Sequence, residues 1–345
     1  MQISKKITIG IDATGGDFGE KEVCKGVIES ISDKLNIKYI LFGDATKVSN
    51  SFKGLNFNFS KYDIELVDAK DKISMNDHPV FAIRNKKESS MVKASSYLID
   101  KKIDAFVSSG NTGALVALAQ FILKPINGID RPVIAAIVPT EKNPMILIDS
   151  GCNVDSKPEW LYQYAILADT YYKLTFEATS PRIALLSVGN EENKGNALTL
   201  ATYKLLKDNK SINFIGNLEA RDLVYGVCDI IVTDGFSGNV FLKTYEGAAT
   251  LLLKLIKEEI MKSFVTKIGG ALIKPALKKL LKKYDAKVYG GAPILGTNYL
   301  VIKCHGNSKS TEYKNTIRQA YELTEKNLIA NLIKEIEVQN GLKHC

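Results

Sequence analysis

The chain has 345 residues, of which 45% are hydrophobic and 24% are charged, which is the composition of a globular protein with a sizeable core. This composition excludes a disordered, collagen-like or coiled-coil protein as the main architecture. The formal net charge is +8, and most of the excess lies in a single segment near the C-terminus.

Strand-like apolar runs alternate with helical patterns along the chain. The predicted strands are 7–11, 39–42, 105–107, 134–138, 146–148, 183–186, 230–232 and 299–302. Segments with helical periodicity include 20–35, 79–99, 159–173 and 308–336. Apolar runs separated by helices predict a largely parallel sheet covered on both sides. Because no Pro/Ser-rich linker interrupts the pattern, one α/β domain over residues 1–345 is expected.

Five of the predicted strands are followed by loops rich in Gly, Asn, Asp and Ser. These loops are 12–19, 108–113, 149–155, 188–195 and 234–239. In a parallel sheet such loops meet beyond the carboxyl ends of the strands, where backbone N–H groups and helix N-termini attract anions. The sequence therefore predicts one binding cleft formed by all five loops, although each loop can also be read as turn and N-cap chemistry.

The charge excess lies between residues 251 and 287, where ten Lys face three acidic residues. Two apolar series at helical spacing predict a helical hairpin inserted at about 251–287, with its turn at Gly269–Gly270 and with Pro275 early in the second helix. The pattern is compatible with an anionic membrane, an acidic protein or a dimer partner. The residues expected at such a contact are Leu272, Ile273, Lys274, Leu277, Lys278, Lys279, Leu280, Leu281, Lys282 and Lys283.

The cellular setting follows from what the chain lacks. Five scattered cysteines without CxxC spacing argue against disulfides and zinc, and no secretory leader precedes the first strand. The uncharged stretch 105–123 contains a Ser/Gly/Asn turn, so it is interpreted as a strand and a helix rather than a membrane span. A cytoplasmic protein is expected.

Several catalytic motifs are absent from the sequence. It has no GxxxxGK[ST] loop, no GxGxxG after a strand and no nucleophile elbow. The three histidines, His78, His305 and His344, are not spaced as metal ligands, so neither a metal nor another cofactor is expected. Nucleic-acid binding is disfavoured because the Lys-rich segment lacks interleaved aromatic residues.

The loops carry a resemblance to a known family. The matching runs are 11–17, 77–91, 108–114, 234–240 and 290–296, and they extend over nearly the whole chain. In this order they resemble the PlsX-type phosphate acyltransferases of bacterial phospholipid synthesis. Thr14 departs from the family pattern, which usually has Met there, but leaves Asp12, Gly15, Gly16 and Asp17 in place.

The resemblance implies a Rossmann-like three-layer α/β/α homodimer with a protruding basic amphipathic hairpin. It implies transfer of a long-chain fatty acyl group from acyl carrier protein to inorganic phosphate, giving an acyl phosphate. It also implies peripheral association with the inner membrane, near the glycerol-3-phosphate acyltransferase that consumes this product. The acidic carrier protein and an anionic membrane surface would both favour the hairpin lysines.

The chemistry requires little more than positioning and charge. A phosphate anion can attack the thioester directly, so the site must hold it beside the carbonyl and stabilise the oxyanion. The catalytic candidates are Asp234, Asn239, Lys194, Lys243 and His305, with Asp234 orienting phosphate or accepting its proton, or alternatively capping a helix. The substrate-binding candidates are Asp12, Gly15, Gly16, Asp17, Ser109, Gly110, Asn111, Thr112, Asn153, Asn190, Gly235, Ser237, Gly238 and Gly291.

Two other functions remain open at the level of sequence. A phosphate acetyl- or butyryltransferase that uses coenzyme A would share the reaction type but would not need the basic hairpin. A non-catalytic scaffold on the membrane surface would bind vesicles without turnover.

Overall fold

The computed structural model describes residues 6–342, except for the side chains of residues 282, 283 and 342. His344 and Cys345 therefore lie outside the described residues. The described chain contains one sheet of eleven strands in the order β3-β2-β1-β4-β11-β10-β5-β6-β9-β7-β8. The strands are β1 (Ile7–Asp12), β2 (Ile37–Gly43), β3 (Ile64–Asp68), β4 (Ala105–Ser108), β5 (Val133–Val138), β6 (Met145–Ile148), β7 (Arg182–Leu186), β8 (Asn213–Leu218), β9 (Ile230–Val232), β10 (Ala292–Leu295) and β11 (Leu300–Lys303).

Helices cover both faces of this sheet. They are α1 (Glu20–Ile31), α2 (Ala45–Gly54), α3 (Pro79–Asn85), α4 (Ser90–Ile99), α5 (Thr112–Leu118), α6 (Pro158–Phe176), α7 (Ala197–Asp208), α8 (Gly235–Ile260), α9 (Phe264–Lys283), α10 (Ser310–Glu325) and α11 (Leu328–Leu342). Local chemistry explains several of the helix starts. The Asp44 carboxylate accepts the N–H of Lys47 at the start of α2, and Pro158 occupies the first turn of α6.

Two apolar cores lie on opposite faces of the sheet. One face packs against α1, α2, α6, α7, α10 and α11, and its core includes Ile9, Phe52 and Tyr164. The other face is covered by α3, α4 and α5 over one half of the sheet, with Met91 and Leu115 in that core. Helix α8 covers the other half through Phe241, Leu242 and Tyr245. The predicted α/β fold with a sheet covered on both faces is therefore confirmed.

The sheet is largely parallel, as predicted, but its two halves run in opposite directions. β1, β2, β3, β4 and β11 are mutually parallel. β10 is antiparallel to both β11 and β5, and β6 is antiparallel to β5. β6, β9, β7 and β8 are then parallel to one another. We call the edge where β1, β4, β5 and β11 end the upper edge, and the edge where β6, β7 and β9 end the lower edge.

The sequence patterns missed the weaker elements. β3 and β8 form the two ends of the sheet and are only partly buried, so their sequences lack a continuous apolar run. The single helix predicted over 308–336 is two helices, because Asn327 adopts a positive φ of 52° between α10 and α11. Asn is one of the few residues that tolerate this conformation.

The predicted hairpin is present, but its turn lies elsewhere. α8 continues from the body of the protein to Ile260, and the chain reverses at Met261–Ser263, where Ser263 and Thr266 form a capping box. Gly270 lies inside α9, where a Cβ atom would come within 2.4 Å of the Ile260 side chain, so it permits close packing of α9 on the end of α8. Pro275 also lies inside α9.

The hairpin exposes both its apolar and its basic side chains. Leu272 is 78% exposed and Phe264 is 79% exposed, and Lys274, Lys278 and Lys279 are also exposed. The side chains of Lys282 and Lys283 lie outside the described residues. Within residues 6–342, none of the helices combines the length and hydropathy needed to cross a bilayer.

Candidate active site

The prediction that five polar loops line one cleft is wrong. The loops after β1 and β4, residues 12–19 and 108–113, leave the upper edge of the sheet. The loops after β6, β7 and β9, residues 149–155, 188–195 and 234–239, leave the lower edge, because these strands run the other way. Sequence alone could not reveal this, since the strand direction reverses where β6 pairs antiparallel with β5. The candidate residues therefore form two groups.

Asp12 organises the loop at the end of β1. Its side chain is fully buried and accepts hydrogen bonds from the backbone N–H groups of Thr14 and Gly15, both at 3.1 Å. The Ser108 hydroxyl donates to its other oxygen at 2.6 Å. Asp12 thus joins the loops after β1 and β4, and its oxygens face protein donors on both sides.

The glycines of this loop permit a close approach between chain segments. A Cβ at Gly15 would lie 2.7 Å from the Gly110 nitrogen, and one at Gly16, where φ is +80°, would lie 2.9 Å from the Gly306 carbonyl oxygen. The backbone N–H of Asp17 donates to that same carbonyl at 2.8 Å. Three loops therefore meet at the upper edge, including residues 304–308 after β11.

Ser109, Gly110, Asn111 and Thr112 follow β4. The Ser109 and Tyr313 hydroxyls are hydrogen-bonded to each other, and the Gly110 N–H donates to the Ser108 hydroxyl oxygen at 3.0 Å. The Asn111 Oδ1 caps α5 through the Ala114 N–H, while its Nδ2 donates to the carbonyls of 74, 75 and 77. These donors hold the loops together, and Thr112 begins α5.

A cleft of about 600 Å³ opens between these loops and α8; we call it the upper cleft. Its charged end contains Asp17, Lys243, Glu246 and His305. Its lining also includes apolar residues of β5, of α8 and of the base of the hairpin, which we call the apolar groove: Val138, Leu242, Tyr245, Ala249, Tyr284 and Tyr289. Asp285, Lys287 and Glu312 line the cleft as well. The upper cleft thus combines charged and apolar side chains.

Glu246 links the two cationic candidates of the upper cleft. Its carboxylate lies 3.0 Å from the Lys243 Nζ and 3.8 Å from the His305 Nε2. Desolvation lowers the pKa of His305, an effect that Glu246 opposes and that the neighbouring Lys243 and Lys303 reinforce. Glu246 is not among the candidates predicted from sequence, although its spacing of three residues from Lys243 on a helix is a recognisable signal.

Gly291 also lies beside the upper cleft. The Gln319 side chain accepts its N–H at 2.9 Å and donates to its carbonyl at 3.1 Å. A Cβ at this position would lie 2.6 Å from the Lys303 carbonyl oxygen, so the glycine permits close contact with β11.

At the lower edge, Asp149 is the central buried acid. Its carboxylate accepts the backbone N–H groups of Gly151, Cys152 and Asn153 at 2.7–2.9 Å, and the Asn153 Nδ2 at 3.1 Å. Burial nevertheless raises its pKa to about 6. Asp149 therefore shapes the turn on which the start of α8 packs.

The candidate residues at the start of α8 cap the helix or contact the 149–153 turn. The Asp234 carboxylate accepts the Ser237 N–H at 2.8 Å, which is the N-cap interaction. The Gly235 N–H donates to the Asn153 carbonyl at 2.8 Å, and a Cβ at Gly238 would lie 1.9 Å from the Asp149 carbonyl oxygen. Asn239 lies beside Gly151 and is exposed. It is one helical turn, about 6 Å along the axis, from Lys243, so α8 connects the two groups of candidates.

Asn190 and Lys194 lie in the exposed loop after β7, at the lower edge. The Lys194 N–H donates to the Glu191 carbonyl, and its own carbonyl accepts the Ser187 hydroxyl. Across the described residues, no cluster of three or more His, Cys, Asp or Glu side chains could hold a metal ion.

Comparison with known proteins assigns the family. Residues 7–331 match the family model described as "Fatty acid synthesis protein". The phosphate acyltransferase of Clostridium botulinum strain Alaska E43 / Type E3 is 43% identical over 333 residues, which cover 96% of this chain and 99% of that protein. The phosphate acyltransferase of Clostridium acetobutylicum is also 43% identical, over 332 residues that cover 96% of this chain and 99% of that protein.

Solved structures support the fold. A phosphotransacetylase from Streptococcus pyogenes has a TM-score of 0.61 at 16% identity and covers 95% of both chains. A branched-chain phosphotransacylase from Enterococcus faecalis V583 has a TM-score of 0.55 at 15% identity, covering 92% of this chain and 99% of that one. At these identities the likeness concerns the Rossmann-like fold alone. The full-length sequence matches show that the chain belongs to the phosphate acyltransferase family of fatty acid and phospholipid synthesis.

Proposed function

We propose that this protein transfers a long-chain fatty acyl group from acyl carrier protein to inorganic phosphate, forming an acyl phosphate for phospholipid synthesis. The observation that carries the proposal is the composition of the upper cleft. Lys243 and His305 lie in its lining beside Asp17 and Glu246, and the apolar groove belongs to the same cleft. A phosphate anion and a long acyl chain are the two substrate parts that such a cleft would hold.

At the charged end, phosphate attacks the thioester carbonyl directly, and no covalent intermediate on the protein is needed. The leaving thiolate has an ordinary pKa of about 8.5, so it departs readily near neutral pH. Lys243 supplies positive charge to the phosphate. His305, whose pKa is lowered, is held mainly neutral and can donate one hydrogen bond to the developing oxyanion.

The apolar groove supports the proposal of a long acyl chain rather than an acetyl group. Leu242 and Tyr245 of α8 line it, together with Tyr284 at the base of the hairpin. Each methylene that leaves water contributes about 0.8 kcal/mol to binding, so a long acyl group gains much more from this groove than a short one.

The hairpin is the proposed contact with the acyl donor and with the membrane. Its exposed lysines complement both an acidic carrier protein and an anionic membrane surface, and its exposed apolar side chains can enter the interface. We include in the proposal a homodimer, peripheral inner-membrane association of a cytoplasmic protein, and delivery of product to the acyl phosphate:glycerol-3-phosphate acyltransferase.

The decisive experiment mixes the purified protein with inorganic phosphate and long-chain acyl carrier protein, and measures phosphate-dependent formation of a hydroxylamine-reactive acyl phosphate. The control omits phosphate. Product from short acyl-coenzyme A but not from the carrier thioester would replace the proposal with a phosphate acetyl- or butyryltransferase. Vesicle binding without turnover of either donor would favour the non-catalytic scaffold.

Two substitutions on α8 distinguish the two groups of candidates. Lys243→Met removes a charge from the upper cleft, and we expect it to lower turnover at least tenfold. Asn239→Ala tests the lower group one helical turn away. A loss of activity in a folded Asn239→Ala protein, with normal activity in Lys243→Met, would move the chemistry to the lower edge.

A further inference from the structure

A lysine at the centre of the sheet has no role in the mechanism above. Lys303 is the last residue of β11, a strand otherwise composed of Leu300, Val301 and Ile302. It pairs with Ser108 of β4 on one side and with Ala292 of β10 on the other. The residue is 91% buried.

This lysine lacks a charged partner. Its Nζ donates to the carbonyl oxygen of Cys304, and among the described residues no carboxylate lies within 4.0 Å of it. A buried ammonium without a counter-charge is costly, and such groups are normally paired with an anion. A backbone carbonyl is a weaker acceptor than a carboxylate or phosphate oxygen. The arrangement therefore suits an anionic ligand.

Lys303 lies next to the upper cleft, although it is not itself one of the residues that line it. The residues that follow it, Cys304, His305 and Gly306, line the cleft, as does its strand partner Ala292. Its amino group lies at the carbonyl of Cys304, which is one of these lining residues. Burial lowers the pKa of Lys303, an effect that Lys243 of α8 reinforces and that Asp12 and Asp17 at the end of β1 oppose.

We propose that Lys303 is the principal cationic contact for the phosphate acceptor in the upper cleft, exchanging its hydrogen bond to the Cys304 carbonyl for one to a phosphate oxygen. Lys243, whose side chain is 57% exposed, then attracts the anion at the mouth of the upper cleft. The inference deepens the proposed function, on which it rests for the identity of the anion. A buried ammonium binds an anion more strongly than an exposed one because little water competes with it.

The test measures phosphate binding without any acyl donor, so it is independent of the proposed reaction. The unfolding temperature is recorded with inorganic phosphate and with sodium chloride at matched ionic strength, for the wild type and for Lys303→Met. The exposed Lys204→Met on α7 is the matched control. We expect phosphate to raise the unfolding temperature of the wild type and of Lys204→Met, and to have no effect on Lys303→Met.

A second variant separates charge from packing. Lys303→Gln keeps a donor for the Cys304 carbonyl but removes the charge, and it serves if Lys303→Met does not fold. With either variant, steady-state kinetics should show at least a tenfold higher KM for phosphate and a KM for the acyl donor within twofold of the wild type. Phosphate stabilisation equal to that of the wild type in a folded, uncharged variant would overturn the inference. A raised KM for the donor instead would assign Lys303 to the phosphodiester of the donor.

Phosphate binding that depends on Lys303 in a protein that forms no acyl phosphate would retain this inference and reject the proposed function. Acyl phosphate formation with an unchanged phosphate KM in Lys303→Gln would retain the proposed function and reject this inference. The two failures are therefore distinguishable.

Discussion

Replacement of Gly238 by Ala should destabilise the protein through a contact of the backbone, although alanine is normally favoured over glycine in a helix. A Cβ at this position would lie 1.9 Å from the Asp149 carbonyl oxygen, whereas real contacts are rarely shorter than 3.0 Å. The start of α8 must then move by about 1 Å or more, which would stretch the 2.8 Å hydrogen bond from the Gly235 N–H to the Asn153 carbonyl.

The expected cost follows from these contacts. Overpacking of a tight site costs about 1–3 kcal/mol, and the loss of a buried hydrogen bond adds roughly 1–2 kcal/mol. The helix preference for alanine over glycine returns about 1 kcal/mol. We therefore expect the free energy of unfolding to fall by about 1–4 kcal/mol.

Urea denaturation followed by circular dichroism measures this change. Gly247→Ala is the matched control, because Gly247 lies on the same helix and a Cβ at that position would meet no neighbour within 4 Å. It should raise the free energy of unfolding by up to about 1 kcal/mol. Equal stability of Gly238→Ala and wild type would refute the close packing of α8 on the 149–153 turn.

Three further predictions concern the groove, the buried acid and the hairpin. Ala249→Trp should narrow the groove and shift the preferred acyl chain to shorter lengths, measured as relative kcat/KM across donors. The pKa of Asp149 is about 6 in the folded protein, against an ordinary value of 3.8, so the folded state holds this proton more tightly than the unfolded state. The free energy of unfolding should therefore fall by roughly 3 kcal/mol as the pH rises from about 4 to about 6. Asp149→Asn should abolish this loss in urea unfolding across that range. Changing Lys278, Lys279, Lys282 and Lys283 to Glu should abolish flotation with anionic vesicles; unchanged flotation would make the hairpin a packing or dimer element.

The candidate site shows where local pattern stops being informative. Asp12, Gly15, Gly16 and Gly110 are expected to lie together, and they do, because β1 and β4 are parallel neighbours. Asp234 and Asn153 are expected beside them but leave the opposite edge. The sequence of a strand carries no mark of its direction relative to a strand a hundred residues away, so only the assembled sheet separates these groups.

The sequence pattern also does not predict which residues are buried by contacts with distant segments. Lys303 follows three apolar residues, as a solvent-exposed strand end would, whereas its place between β4 and β10 buries it. The pattern predicts a turn at Gly270, which instead allows close packing of two helices. In both cases the meaning of the residue depends on a neighbour distant in the chain.

The amino-acid sequence was sufficient for the fold class, most central strands, the existence of the basic hairpin and the family, because apolar periodicity, turn residues and the order of motifs are local or additive signals. Which loops share an edge, where the hairpin turns and which lysine is buried in the sheet emerge only in the folded chain. Those features arise from pairing and packing between distant segments, whose energies are not encoded in any one stretch of the chain.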